Sequence, residues 1–246
     1  MQILVALTLP FIAVMNYFSQ AGYFGDIAVS DLARRTGESI ATPAGRAFAI
    51  WWLIYLGILC YVIYQFFIWK NKQIQQATPY IATNLIANGL RYYFSTVSGQ
   101  VRVSALLIII MWISLWYINK HLQWFEKGKW RKDILFVVLP RSIYFAWITV
   151  ATPLNIGAAL TDWWYTRAET SQLAVLSRTA LSYITALVVF YRIKRASYMA
   201  VIIRALIAVA MARSVDTPSI AYIAQALIII SLIIVAYSGY KKTLKW

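Results

Sequence analysis

Acidic side chains are scarce in this sequence. Eight Asp and Glu stand among 246 residues, against 23 Lys and Arg, so the formal net charge is +15. Cysteine and histidine are scarcer still, at one each, Cys60 and His121. A single cysteine excludes an intramolecular disulfide and a cysteine-built metal cluster. The lone histidine, next to Lys120 and near Trp124 at the end of an apolar run, reads as a solvated interfacial residue rather than a ligand. Charge of both signs is thin: 13% of residues are charged, where a soluble domain carries about a quarter. No acid–base pair or nucleophile constellation supports ordinary catalysis. No carboxylate falls within an apolar run, which removes the usual basis for proton-coupled pumping.

What the chain has instead is apolar surface. Hydrophobic residues make up 61% of it, more than a domain of this size can wrap in water, so lipid is the expected solvent. In a soluble protein the positive charge would suggest nucleic acid. Here the basic residues sit between apolar runs, which argues against nucleic acid and for a bilayer. The N-terminal stretch MQILVALTLPFIAVMNYF is apolar from its first residue. It lacks the basic start and clear small-residue cleavage site of a removed signal, and is expected to be a retained first span.

Eight apolar segments are expected, at roughly 2–22, 46–69, 80–97, 102–124, 134–156, 171–191, 198–213 and 219–239. Most suffice to cross about 30 Å of hydrocarbon at 1.5 Å per residue; the third and seventh are short or polar. Charge placement tests this count. With a cytoplasmic N-terminus and every segment spanning, one side holds Lys70, Lys72, Lys120, Lys127, Lys129, Arg131, Lys132, Arg192, Lys194, Arg195, Lys241, Lys242 and Lys245, with only Glu126 and Asp133 against them. The opposite side holds six basic and six acidic residues, and every Lys falls on the first. That is the positive-inside pattern at each alternate loop. Both termini are therefore expected in the cytoplasm, and the expected location is the bacterial plasma (inner) membrane.

Four arginines remain within spans: Arg91, Arg141, Arg178 and Arg204. An intramembrane Arg costs a few kcal/mol or more. Near span ends, Arg178 and Arg204 read as snorkelling side chains. Arg91 and Arg141 lie deeper and are open to several partners: backbone carbonyls, water, a lipid phosphate or an anionic ligand. Aromatic residues form 16% of the chain, with 11 Trp. Trp69, Trp124, Trp130, Trp163, Trp164, Tyr165, Tyr191 and Trp246 mark span ends, as an interfacial belt does. Trp51, Trp52, Trp112, Trp116 and Trp147 fall inside spans. They suit helix packing, or, if gathered around one cavity, a flat aromatic ligand. The longest non-cytoplasmic loop, 23–45, is polar and long enough for a lid.

Four stretches carry a family resemblance, in order. The first is VSDLARRTGESIATPAGRAFAIWWLIYLGILCYVIYQ, which holds Pro43, Ala44, Gly45, Phe48, Ile50, Trp51, Ile54 and Tyr55. The second is NLIANGLRYYFS with Asn84 and Asn88. The third, SALLIIIMWISLWYINKHL, is less specific. The fourth is LPRSIYFAWITVATPLNIGAAL, with Pro140, Tyr144, Trp147, Ala151, Leu154 and Asn155. Together they resemble the tryptophan-rich sensory protein family (TspO/MBR, the family of the translocator protein and peripheral benzodiazepine receptor). The resemblance covers roughly residues 15–160. Arg91 departs from it where the family usually has Trp, and Arg141 where an apolar residue is common.

The resemblance implies an all-α integral membrane protein: a five-helix bundle over 1–160 with the 23–45 lid, plus a C-terminal extension of three transmembrane helices over 161–246. It implies a cavity for a hydrophobic planar ligand, a porphyrin or other tetrapyrrole or a sterol-like molecule, with no required cofactor. The expected ligand-binding residues are Pro43, Phe48, Trp51, Tyr55, Asn88, Trp147, Ala151 and Asn155, with Arg91 added although it departs from the family pattern. Tyr144, Trp147, Ala151 and Asn155 share one helical face by their spacing. For Asn155, as for Trp51 and Tyr55, helix packing and ligand contact both stay open. Arg34, Arg35, Arg46 or Arg91 could meet ligand carboxylates, although Arg34 and Arg35 equally suit a solvated loop. Three other readings remain: a porphyrin-degrading enzyme, a structural or interaction subunit docking through Trp163, Trp164 and Tyr165, and a solute transporter, for which no inverted repeat is evident. Sensing or transport would be the role, and a homodimer is common in such proteins.

Overall fold

The computed structural model describes residues 2–20, 49–94, 100–123, 131–164, 172–214 and 217–245. The 23–45 segment, Pro43, Phe48, Arg34, Arg35 and Arg46 lie outside them. Eight long helices run through the described residues: α1 (Gln2–Gln20), α2 (Ile50–Ile68), α3 (Lys72–Tyr92), α4 (Val101–His121), α5 (Leu139–Trp164), α6 (Gln172–Ile193), α7 (Ala196–Arg213) and α8 (Pro218–Tyr240). A short helical turn, Arg131–Asp133, and a π-helical stretch, Ile134–Val138, lead into α5. No strand is present among the described residues. All-helical structure is what a hydrocarbon solvent demands, because a helix satisfies its backbone groups internally.

The expected segments and the helices agree, with two offsets: the fifth segment was expected to end at 156, but α5 continues to Trp164. The third segment was expected at 80–97, but α3 begins at Lys72. Asn71 caps it: its side-chain oxygen accepts from the Gln73 N–H at 2.9 Å, the ordinary way to satisfy a free first-turn donor. Polar Lys72, Gln75 and Gln76 lie exposed, while Ile74, Ala77, Thr78 and Ile81 are buried. Apolar run length therefore misses the first two turns of an amphipathic helix.

Among the described residues, four helical stretches are long and apolar enough to cross a membrane: Ile50–Ile68, Val101–His121, Arg131–Gly157 and Pro218–Tyr240. Gln2–Met15 and Ala196–Ala212 are shorter apolar helices. Further along α3 the polar Thr78, Asn84 and Asn88 are all buried.

At the centre stands α5. It packs against α2, α4, α6 and α7. Residues 144–149 are buried without a break, so the helix is covered on every side there. Polar contacts tie it to the C-terminal helices: the Ser142 and Ser197 hydroxyls lie 2.5 Å apart, and Ser182 donates to the Val150 carbonyl at 3.4 Å. Phe145 meets Tyr198 edge-on at 6.0 Å. One hydrophobic core contains residues from α1 through α7. At one end of the bundle the tail after α8 closes on the α6–α7 turn. Lys245 N–H donates to the Lys194 carbonyl at 2.7 Å, and Ala196 N–H to the Lys245 carbonyl at 3.0 Å. The C-terminal ends of α6 and α8 thus lie at the same end of the bundle, as an even number of intervening crossings requires.

Gly57 sets the distance between α2 and α5. A Cβ built there falls 2.9 Å from the Pro140 Cβ and 3.4 Å from its Cα, and a proline ring cannot swing aside. Small residues permit such close approach between helices in lipid. Gly57→Val is expected to lower stability by about 1–3 kcal/mol through overpacking. Gly239→Ala, with nothing within 4 Å, is expected to be neutral or slightly stabilising. Thermal unfolding in detergent separates them; equal midpoints would refute the close-approach account.

Candidate ligand site

Aromatic rings from three helices converge where α2 begins and α3 ends. Trp51 and Tyr55, one turn apart on α2, stack at 5.5 Å with their planes 23° apart. Around Trp51 stand Tyr92 at 6.3 Å, Tyr144 at 6.2 Å and Trp147 at 6.3 Å, the last almost perpendicular at 85°. Edge-to-face contacts of this kind stabilise by about 0.5–1.5 kcal/mol each beyond area burial. Burial of Tyr92, Tyr144 and Trp147 is nearly complete, while Trp51 and Tyr55 are half-buried.

A cation sits on this cluster. The Arg91 guanidinium carbon lies 5.7 Å from the centre of the Trp51 ring and 4.8 Å from that of Tyr92, within cation–π range. The Tyr55 and Tyr92 hydroxyls share a 2.8 Å hydrogen bond that links α2 to α3. Where the family resemblance would put a tryptophan, this chain puts a charge against the aromatic ring of its neighbour.

One turn below Tyr92, Asn88 is completely buried. Neither atom of its side-chain amide has a hydrogen-bond partner among the described residues. A buried amide without a partner is costly, so this is a place where a bound polar group or water would act. Asn84, a further turn down, is different: its nitrogen donates to the Met111 carbonyl at 2.9 Å and to the Ser114 hydroxyl at 2.8 Å. It pins α3 to α4.

Beneath the aromatic cluster lies a cavity of about 50 Å³ between α2, α3, α4 and α5. Ile58, Ile81, Leu85, Leu115 and Val137 form its apolar walls; Tyr61, Asn84, Arg141 and Tyr144 supply the polar groups. Tyr144 belongs both to the aromatic cluster and to the cavity wall. That volume accommodates a few waters and falls well short of the roughly 300 Å³ or more of a drug-sized ligand site.

The structure thus brings together Trp51, Tyr55, Arg91 and Trp147, and places Asn88 on the same helix as Arg91, one turn inward. Asn155 sits two turns beyond Trp147. Its amide nitrogen donates to the Ala151 carbonyl of its own helix at 2.8 Å, and Ala151 packs half-buried against the core. The intramembrane tryptophans do not share one cavity. Trp52 is 80% exposed and faces outward. Trp112 and Trp116 stack on each other at 6.0 Å and pack on Phe145, with the Trp112 N–H donating to the Thr149 hydroxyl at 3.2 Å. Reading the sequence missed Tyr92 and Tyr61 as site residues. The available signal for Tyr92 was its spacing of four from Asn88; beside Tyr93 and Phe94 it looked like an interfacial belt residue.

A family model described as TSPO-like protein matches residues 2–237. The chain belongs to the TSPO-like family. The match includes the three helices after residue 165 as well as the five before it. No curated protein and no solved structure matches the chain. Membership, with the four apolar spanning helices, makes this TSPO-like protein an integral membrane protein.

The buried Asn88 amide can be tested directly. Asn88→Leu is expected to raise the unfolding midpoint of the ligand-free TSPO-like protein, by the equivalent of about 1–2 kcal/mol, because it removes an unsatisfied buried amide. A lower midpoint would mean that the amide is held by bound water and contributes to the fold.

Proposed function

We propose that this TSPO-like protein binds a planar, hydrophobic ligand of porphyrin or sterol type in its helix bundle, and that it senses or moves that ligand rather than transforming it. The observation that carries this reading is the convergence of four rings around Trp51 with the Arg91 guanidinium over its face. A flat apolar molecule would replace ring–ring contacts with equivalent contacts to itself, and Arg91 would receive a carboxylate at its edge. Asn88 would supply a hydrogen bond from below.

The cavity is too small for such a ligand as it stands, so binding would require the rings to part. Helix α2 is the element suited to move. Much of it faces lipid, with Trp52, Leu53, Leu56, Leu59, Ile63, Phe66 and Phe67 exposed. Rotation of Trp51 and Tyr55 away from Trp147 would open the space between α2 and α5. The 23–45 segment, joined to the start of α2, would serve as the lid. On the charge pattern, entry would be from the non-cytoplasmic face of a bacterial plasma membrane, with both termini inside.

Porphyrin titration of the detergent-solubilised protein, followed by tryptophan quenching, tests this reading. Saturable binding is expected, weakened about three- to tenfold in Trp147→Phe by loss of one aromatic contact. Arg91→Gln should weaken a porphyrin diacid more than its dimethyl ester. Absence of saturable binding in folded protein would refute tetrapyrrole recognition. Product formation in light but not in darkness would replace the binder with a porphyrin-degrading enzyme.

A further inference from the structure

Far from the aromatic cluster, the C-terminal helices gather positive charge. Arg192 lies in the last turn of α6 and Lys194 just after it; Lys241 and Lys242 directly follow α8. Backbone hydrogen bonds hold these two helix ends together. The Lys245 N–H donates to the Lys194 carbonyl at 2.7 Å, and the Ala196 N–H to the Lys245 carbonyl at 3.0 Å. Ahead of that bridge the tail folds over the end of α8, where the Thr243 and Leu244 N–H groups donate to the Ser238 carbonyl at 2.9 and 3.1 Å. Three residues of chain separate Lys242 from Lys245, a span of at most about 11 Å. Arg192, Lys241 and Lys242 are exposed and Lys194 is half-buried. No Asp or Glu lies between residues 172 and 246 except Asp216, in the connection from α7 to α8.

Folding alone does not account for this cluster. A helix C-terminus favours a cation, but it offers only about half a negative charge. The ends of α6 and α8 together offset about one of the four positive charges. The backbone is unfavourable as well. Lys194 and Lys242 are left-handed, with φ of 49° and 52°. Glycine is the usual residue in that conformation just after a helix, because a side chain there costs backbone energy. Two lysines therefore stand where both mutual repulsion and backbone preference oppose them. Beside the four cations are lipid-facing rings. Tyr191, Tyr237 and Tyr240 are all exposed, and the Lys241 ammonium lies 5.8 Å from the centre of the Tyr237 ring. Exposed tyrosines next to basic residues at the end of a membrane helix mark headgroup depth. Lipid phosphates are the anions concentrated at that depth.

We propose that the joined ends of α6 and α8 form a binding site for the headgroup of an anionic phospholipid, with Arg192, Lys194, Lys241 and Lys242 facing its phosphate. The acyl chains lie along the apolar surface one turn deeper, past the exposed Val188 of α6 and Ile233 of α8. The site is separate from the aromatic cluster and needs no ligand there.

The test is the thermal unfolding midpoint of the purified full chain in neutral detergent, titrated with phosphatidylglycerol or with phosphatidylcholine of the same acyl chains. Phosphatidylglycerol is expected to give a saturable upward shift that phosphatidylcholine does not give and that weakens as salt rises. Two double variants, Arg192→Gln with Lys241→Gln and Lys194→Gly with Lys242→Gly, are each expected to weaken the apparent affinity at least about tenfold. The glycine pair separates binding from folding. Its lipid-free midpoint should be unchanged or higher, because glycine accepts the left-handed backbone without strain, while its lipid response is lost. Lys70→Gln with Lys72→Gln, two exposed cations at the α2–α3 turn, should keep the full response. The proposal is overturned by no shift with phosphatidylglycerol, by an equal shift with both lipids, or by a shift that inorganic phosphate alone reproduces. An equal loss in the Lys70 and Lys72 pair, or a wild-type response in the site variants, overturns it too. If one site pair fails to fold, the other decides. No porphyrin is present, so this outcome is independent of the aromatic site.

Discussion

Hydrocarbon offers no hydrogen bonds, and the arrangement of this protein follows from that one constraint. Every backbone group must be satisfied within its own segment, which makes the described chain helical. Side-chain hydroxyls obey the same rule locally. Thr78 donates to the Ile74 carbonyl, Thr149 to Phe145, Thr152 to Ile148 and Ser231 to Leu227, each one turn back. Polar groups that cannot be satisfied in this way have one other refuge, the interior of the bundle. That is why the most polar helix, α3, has the inward amides Asn84 and Asn88, and why the space between α2, α3 and α5 is where polar chemistry accumulates.

The second consequence concerns α5. Over residues 144–149 this helix is buried on all sides and has no lipid face to release, so that stretch is the fixed element against which others pack. On one flank it meets α2 through Pro140 and Gly57; on another it meets α7 through Phe145 and Tyr198, and Ser142 and Ser197. Of the helices after residue 165, α6 and α7 join the same core, and α8 packs against it while Ile220 and Ala224 belong to a second, smaller cluster. The boundary expected between residues 160 and 161 lies inside α5, which runs on to Trp164.

Aromatic stacking and the Arg91 charge are compatible only because they are layered. The rings shield the guanidinium from lipid on one side, and the ring faces offer it a site of negative potential. Replacing the expected tryptophan by arginine therefore changes the site from a wholly apolar box to one with a fixed cation at its rim. Arg141 does the same one level deeper. Arg91 and Arg141, fifty residues apart in sequence, end in adjoining spaces.

Much of the fold was legible in the sequence because run length and charge placement are local quantities. Eight apolar segments, alternating basic loops and the spacing of Trp51 with Tyr55, and of Tyr144 with Trp147, could be read directly. Family membership was legible for the same reason, through short ordered motifs. Where α3 begins was not, because its first turns alternate polar and apolar residues and only burial shows which face matters. Nor could the sequence separate Trp51 and Trp147, which meet, from Trp52, which faces outward, and from Trp112 and Trp116, which pack elsewhere. Asn155 and Asn88 look alike as letters, yet one bonds its own helix and the other lies buried with no partner among the described residues. By itself the sequence determined the solvent, the helices and the family, since these depend on composition and periodicity along one chain. Which rings gather, which amide is left unsatisfied and which arginine faces a cavity were decided only by the tertiary structure, because each depends on the rotation and separation of helices far apart in the chain.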